Sequence, residues 1–359
     1  MERKVLNLKD SVKGKVISVG IDVHSLSWQI TALADGEVIM AVTVSKPDYP
    51  KFKALLARLQ GNILRVAYEA GPAGFDLYDK LRADGIECIV VPPSLIPIES
   101  GNRVKTDKRD SYKLAKLLES NMLKKVWVLT PQQRADRQLV RTRRQITDHR
   151  SDVMRQIKSL LLFNSVPIPL PASRHWGAAF TSWLRSFDFG REHLARSVHS
   201  LLDLYEYLTR EKRTLTQEVL GMAHAETYAE RVALLKSVPG IGTLSAMEIL
   251  VELQDVSRFK TAEQLAAYAG LTPSQYSSGE RIRMGHITHA GNTRLRTTLV
   301  ECCWILIWKD PGMRAKYESI KRRRGAKRAI VAISRKLCAC IRRMLLDNVA
   351  YKVSLPKAA

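Results

Sequence analysis

The hydrophobic period of this chain changes once, near Pro131, and that change limits what it can fold into. Before it, short apolar runs recur at strand length: Lys15 to Ile21, Trp28 to Leu33, Glu37 to Val44, Leu64 to Ala67 and Ile86 to Val91. Ala34-Asp35-Gly36 reads as the turn between the second and third. Gly71-Pro72 breaks the chain after the fourth, an amphipathic helix is predicted from Ala73 to Ala83, and Gly85 ends it before the fifth, which closes at Pro92-Pro93. Strand, helix, strand predicts a parallel pair with a crossover. A further helix is predicted from about Asp107 to Leu123.

Beyond Pro131 the strand signals stop. Arg134 to Leu162 reads as one long basic helix, with Arg137, Arg141, Arg144 and Arg155 among its charges. Pro167, Pro169 and Pro171 interrupt it, and Glu192 to Ala225 is helical again. Two long helices in succession suggest an antiparallel coiled-coil arm, although so loose a period also suits a plain helical bundle. From Ala233 to Ala359 the chain reads as mainly helical around one irregular loop, Thr272 to Asn292. The expected class is α/β plus α: an α/β domain over 1–130, a helical arm over 131–231 and a mostly helical domain over 232–359.

Charge narrows the partners. Fifty-eight Lys and Arg stand against 35 Asp and Glu, a net charge of +23, which repels itself unless a polyanion neutralises it. Between Arg314 and Arg343 there are twelve Lys or Arg and one acid, Glu318, too one-sided for salt-bridge lacing along a helix. Phosphate contact by Arg322, Arg323 and Arg324 is expected there; a ribosome-associated or merely basic protein is the plainer reading of the charge. The segment Met1 to Lys15 is charged and lacks the apolar core of a signal peptide. The apolar run Leu299 to Trp308 contains Glu301 and falls short of the ~20 residues that span a bilayer. The five cysteines form no CxxC pair, which argues against a disulfide framework and fits a soluble protein of the reducing cytoplasm. A zinc site from His286, His289, Cys302 and Cys303 is disfavoured, because the thiols sit in apolar helical stretches.

Four acids in the first domain suggest chemistry. Asp22 follows the apolar run ending at Ile21, and Glu69 follows Val66-Ala67-Tyr68, so both are expected near strand C-termini, where α/β sheets build their sites. Asp107 and Asp110, three apart at a helix start, project from one face, though first-turn acids also suit the helix dipole. Such a cluster offers the hard oxygen ligands that Mg2+ takes, and two such ions can assist displacement at phosphorus. Arg103, Lys105, Lys108 and Arg109 surround the pair and are suited to hold a phosphodiester.

Two further stretches lie in the last third. In Ser237-Val238-Pro239-Gly240-Ile241-Gly242, Gly240 and Gly242 would let backbone N–H groups face an anion beside a helix N-terminus, in the manner of a helix-hairpin-helix element; an ordinary interhelical turn fits as well. The loop Tyr276-Ser277-Ser278-Gly279-Glu280-Arg281-Ile282-Arg283 combines small hydroxyls with Arg281 and Arg283. A serine there needs a base or metal to take its proton, and no His–carboxylate pair has helpful spacing.

Taken in order, these pieces resemble the insertion-sequence transposases with a RuvC-like DEDD domain and a C-terminal transposase domain, known as bridge-RNA-guided recombinases. The matching stretches are Val19-Gly20-Ile21-Asp22-Val23, Tyr68-Glu69-Ala70-Gly71 and Arg103-Val104-Lys105-Thr106-Asp107-Lys108-Arg109-Asp110. They continue with Val238-Pro239-Gly240-Ile241-Gly242, Ala269-Gly270-Leu271-Thr272-Pro273 and Tyr276-Ser277-Ser278-Gly279. The resemblance implies an RNase H/RuvC-like first domain in which Asp22, Glu69, Asp107 and Asp110 hold Mg2+. It implies that a serine forms a covalent phosphoserine link to DNA; Ser274, Ser277 and Ser278 are all near, and only Ser278, before Gly279, matches the family's pattern. It further implies donor and target DNA, a non-coding guide RNA that pairs with both, and a homo-oligomer (dimer or tetramer) in which one subunit's serine meets another's metal site. The helical arm would then hold subunits together and touch RNA. Two rivals use the same residues: a Holliday-junction-type endonuclease working with the carboxylates and water, and a non-catalytic RNA-binding protein.

Overall fold

The computed structural model describes residues 13–59, 63–97, 106–169, 176–276, 283–288 and 290–355. They form two compact units, divided in sequence between Leu129 and Thr130.

The first unit runs β1 (Val16–Val23), β2 (Ser27–Ala34), β3 (Glu37–Ser45), α1 (Tyr49–Ala57), β4 (Ile63–Glu69), α2 (Asp76–Ala83), β5 (Glu87–Val91) and α3 (Asp107–Glu119). The five strands make one sheet in the order β3-β2-β1-β4-β5. β1, β2 and β3 pair antiparallel, while β1, β4 and β5 are parallel. This mixed sheet is consistent with the expected RNase H-like domain. The expected turn at Ala34-Asp35-Gly36 joins β2 to β3, with Asp35 and Gly36 both at positive φ.

Strand alternation sorts the sheet's two faces. Ile17, Val19 and Ile21 of β1 join Val66 and Tyr68 of β4 in a core closed by Phe52 and Leu56 of α1 and Leu77 and Leu81 of α2. The intervening positions face α3. At Gly20 an added Cβ would lie 2.1 Å from the Ser111 carbonyl oxygen and 2.5 Å from the Ala115 amide nitrogen, so α3 rests directly on β1 backbone. The Thr31 hydroxyl, on the β2 residue paired with Gly20, meets the Ser111 hydroxyl at 2.8 Å in the buried interface. Two helix limits differ from expectation. α2 begins at Asp76 rather than Ala73, behind Gly74 at φ +70°, and α3 stops at Glu119, just before Asn121 turns to φ +53°.

The second unit holds α4 (Pro131–Phe163), α5 (Ala178–Ser186), α6 (Glu192–Ala223), α7 (Glu226–Lys236), α8 (Thr243–Leu253), α9 (Ala262–Tyr268), β6 (Pro273–Gln275), β7 (Met284–Ile287), α10 (Thr293–Lys309), α11 (Pro311–Arg324) and α12 (Ala326–Asp347). Thr130 and Gln133 cap α4 reciprocally around Pro131. At ~1.5 Å per residue its 33 residues extend about 50 Å. Arg143 reaches Thr216 of α6 (3.0 Å), and Arg150 reaches Thr209 (2.9 Å) and Tyr205 (2.7 Å), so the two long helices run antiparallel. At one end Val153, Ile157 and Leu161 pack with Val198, Leu202 and Leu208. At the other, Val140, Val219 and Ala223 belong to the same core as Leu235, Leu250, Leu299 and Leu337.

Two features depart from the sequence reading. The segment between the prolines and Glu192 contains α5, a nine-residue helix too short to persist alone. It forms by docking: Phe180 and Leu184 enter the α4–α6 core, Trp176 meets Phe180 edge-on at 4.7 Å, and Phe180 stacks on Trp183 at 5.6 Å. The supposedly irregular stretch Thr272 to Asn292 contains the antiparallel pair β6–β7. Neither strand has a fully buried residue, so no buried face imposed the apolar alternation by which a strand is recognised.

Polar pins complete the unit. Arg141 of α4 grips the buried Glu252 of α8 bidentately at 2.6 and 2.7 Å. The same carboxylate accepts from Asn292 Nδ2 at 2.7 Å, and Asn292 in turn caps α10. Burial would raise the Glu252 carboxyl, but Arg141 and Asn292 hold it below the usual range. Buried Asp310 caps α11 through the Met313 amide (2.7 Å) and ties down the following tail through Tyr351 OH (2.7 Å) and the Ser354 amide (2.8 Å).

Candidate metal centre and nucleic-acid interface

β1 and β4 lie side by side in register, Ile21 opposite Tyr68, so the next residues, Asp22 and Glu69, end adjacent parallel strands and point to one face. That face is the one α3 covers. The side-chain-free Gly20 lets α3 approach, and Thr106 caps its first turn by accepting from Arg109 N. The result is that Asp107 and Asp110, in the first turn of α3, are delivered to the end of β1.

Asp22, Asp107 and His24 offer ligand atoms that all lie within 4.8 Å of one another. His24 Nε2 is 3.2 Å from Asp22 Oδ1 and 3.9 Å from Asp107 Oδ1. Burial pushes the Asp22 carboxyl above its usual range; His24 opposes that, and the nearby charges of Asp107 and Asp110 add to it. Such a crowded group is relieved by a cation. Its oxygen donors suit a hard divalent ion and its imidazole a borderline one. Glu69 and Asp110 stand outside the 4.8 Å group, Glu69 one strand away and Asp110 one helical turn along α3 from Asp107. His24 was missed from sequence. The available signal was its place two residues beyond Asp22, which alternation returns to the same side.

Lys108 and Arg109 are exposed on the first turn of α3, whereas Arg103 and Lys105 lie outside the described residues. In the second unit α7 and α8 are joined through the expected glycine turn. Gly240 takes φ +97°, and a methyl group there would meet the Cys302 carbonyl oxygen at 2.6 Å and Ile305 Cβ at 2.9 Å. Gly242 is the N-cap of α8 and supplies no side-chain acceptor, leaving first-turn N–H groups to other partners. Arg283 is exposed at the foot of β7, its carbonyl accepting from the Tyr276 amide at 2.9 Å. Ser277, Ser278 and Arg281 fall between those two residues and outside the described ones. Arg322, Arg323 and Arg324 are exposed at the C-terminal end of α11. Among the described residues, no helix is long and apolar enough to cross a membrane.

A mixed sheet with acids ending adjacent strands, a helix bringing two more, and a strongly basic second unit suit an enzyme class that transfers phosphoryl groups in DNA. Residues 19–164 match the DEDD transposase profile of the IS110 group, and residues 232–318 match the profile described as "Transposase IS116/IS110/IS902 family". The chain is 36% identical over 297 residues to y4qE of Sinorhizobium fredii, whose name places it among transposases, covering 80% of this chain and 70% of that one. It is 25% identical over 342 residues to the transposase for insertion sequence element IS1111A of Coxiella burnetii, covering 93% and 91%. It is 26% identical over 249 residues to the transposase for insertion sequence element IS1533 of Leptospira borgpetersenii, covering 67% and 70%. The chain belongs to the IS110/IS116 family of transposases, enzymes that cleave and recombine DNA.

Proposed function

We propose that this transposase is an RNA-guided, Mg2+-dependent recombinase that exchanges DNA strands through a covalent phosphoserine. In this reading Asp22, Glu69, Asp107 and Asp110 hold the metal, joined by His24 at its rim. The observation that carries it is the convergence of Asp22, His24 and Asp107 within 4.8 Å at the end of the central strand. Bound Mg2+ would supply Lewis-acid stabilisation of the oxygens around phosphorus.

The chain's own residues do the rest. Lys108, Arg109 and, beyond the described residues, Arg103 and Lys105 hold the phosphodiester over the carboxylates. Ser278 Oγ forms its bond to phosphorus as the bond to one deoxyribose oxygen breaks, and the serine proton ends on that departing hydroxyl. Return of a different deoxyribose hydroxyl to the phosphoserine reverses the step and completes exchange. Gly240, Gly242, Arg281, Arg283 and Arg322 to Arg324 steady the nucleic-acid backbone without reading sequence. Sequence choice falls to a non-coding guide RNA paired with donor and target DNA. The functional divisions are 1–130 for the metal site, 131–231 for a coiled-coil arm that joins subunits and touches RNA, and 232–359 for the serine and a helix-hairpin-helix grip. The active unit is a dimer or tetramer in the cytoplasm, one subunit's Ser278 serving another's carboxylates.

A plasmid recombination assay with and without the element's flanking RNA tests this. Ser278→Ala should lose both the covalent protein–DNA adduct and strand exchange while keeping DNA binding, and Asp22→Ala should lose all cleavage. Normal cutting by Ser278→Ala would leave a water-using nuclease, and recombination independent of RNA would remove the guide.

A further inference from the structure

The helix α10 is apolar on both sides. Leu299, Cys302, Cys303, Leu306 and Ile307 fill the core, while the opposite side presents Trp304, Ile305 and Trp308 at 43, 51 and 69% exposure. Trp304 and Trp308 are one turn apart and so share a face. An exposed pair of indoles is costly in water and unusual on a charged surface. Cations flank it, one of them, Lys321, also paired with Glu318 at 3.5 Å. The Arg314 guanidinium lies over the Trp308 ring, 5.0 Å from its centroid. Trp304 meets Tyr317 edge-on at 6.0 Å, and Lys321 lies 5.7 Å over Tyr317. Exposed Lys309 and Arg322 to Arg324 extend the positive charge, and the Gly240 turn closes against Ile305 along the same helix. The acid on this side of α10, Glu301, is drawn toward Arg144 at 3.7 Å.

We infer that this face binds single-stranded DNA, its unpaired bases stacking on Trp304 and Trp308 while Arg314, Lys309 and Lys321 meet the phosphates. Stacking needs an open base face, which a duplex hides between neighbouring pairs, and flat rings interleaved with cations are the chemistry that takes single strands without sequence preference. A second copy of the chain would bring the same positive charge against itself. A transposase that cuts DNA generates such unpaired strands. The inference rests on the family's DNA chemistry and not on the serine or RNA reading, so the two can fail separately.

The test uses the full chain and a fluorescein-labelled single-stranded oligodeoxynucleotide, its duplex form and an RNA of the same sequence. Trp304→Ala/Trp308→Ala should weaken single-stranded DNA binding at least about tenfold and duplex binding less than about twofold. Arg314→Gln should make the single-strand salt dependence shallower. Trp304→Phe/Trp308→Phe should keep the affinity, since phenyl rings still stack, yet lose part of the tryptophan quenching seen on titration. That pair guards against misfolding of the alanine variant. Unchanged quenching in the phenylalanine pair, unchanged single-strand affinity in a folded alanine pair, loss of RNA binding alone, or conversion to a smaller assembly on light scattering would each overturn the assignment.

Discussion

Gly20 and Ser111 approach so closely that a single added methyl group on Gly20 would sit 2.1 Å from the Ser111 carbonyl oxygen. The obstacle is helical backbone, which cannot swing aside as a side chain could. Gly20→Ala must therefore push α3 off the sheet and carry Asp107 away from Asp22. The expected outcome is a loss of about 1–3 kcal/mol or more in urea denaturation, from overpacking alone, together with weakened divalent-ion binding in calorimetry. A variant with native stability and native ion affinity would show that α3 is not held by this contact.

Asp22 lies between His24 and the α3 acids in the candidate metal group. Asp22→Ala should lower Mn2+ or Mg2+ affinity by more than about tenfold, and chelation of wild-type protein should abolish DNA cleavage. His24→Ala should weaken Mn2+ more than Mg2+, because nitrogen donors favour the former. Equal affinity of all three proteins for Mn2+ in titration calorimetry would remove these residues from the ligand set.

The Arg141–Glu252 pair joins α4 to α8 and steadies the cap of α10. Glu252→Gln leaves the guanidinium without its counter-charge. Arg141 still reaches solvent, at 31% side-chain exposure, so the expected cost is about 2–3 kcal/mol rather than the roughly 3–5 of a wholly buried pair. Thermal unfolding followed by circular dichroism measures it, and an unchanged midpoint would refute the role.

Asp310 gives a pH dependence. Burial would raise its carboxyl, but hydrogen bonds from Ser354, Met313 and Tyr351 together hold it below its ordinary 3.8. Its contribution to stability is therefore complete above that value and is lost as pH falls through the lowered folded one. Asp310→Asn should be less stable than wild type by about 1–3 kcal/mol near neutrality. The difference should shrink below about pH 4, where the carboxyl protonates in the unfolded chain before it does in the folded one. A gap that stays constant across that range would mean the charge is irrelevant.

The legible parts of the fold were those whose burial writes a period into the sequence. β1, β2, β4 and β5 have continuous or alternating apolar positions, and the Asp35–Gly36 turn has the residues its positive φ angles require. Asp22 and Asp107 could be placed near each other because strand ends and helix starts are where such acids act. His24 stayed hidden because one exposed histidine after a strand has no distinguishing pattern. α5 was invisible for the opposite reason: its helix depends on aromatic docking into residues far along the chain. The loose period of the long helices also has a structural cause. Between Val140 and Val153 one partly buried apolar side chain, Ile146, packs against the core, and Arg143 and Arg150 reach α6 through hydroxyl groups.

That largely polar middle has a consequence for local stability. Each end of the α4–α6 pair is clamped by close apolar packing, whereas the stretch between relies largely on hydrogen bonds, which water can replace at little cost. Water can therefore compete for the contacts of the waist more readily than for those of either apolar end.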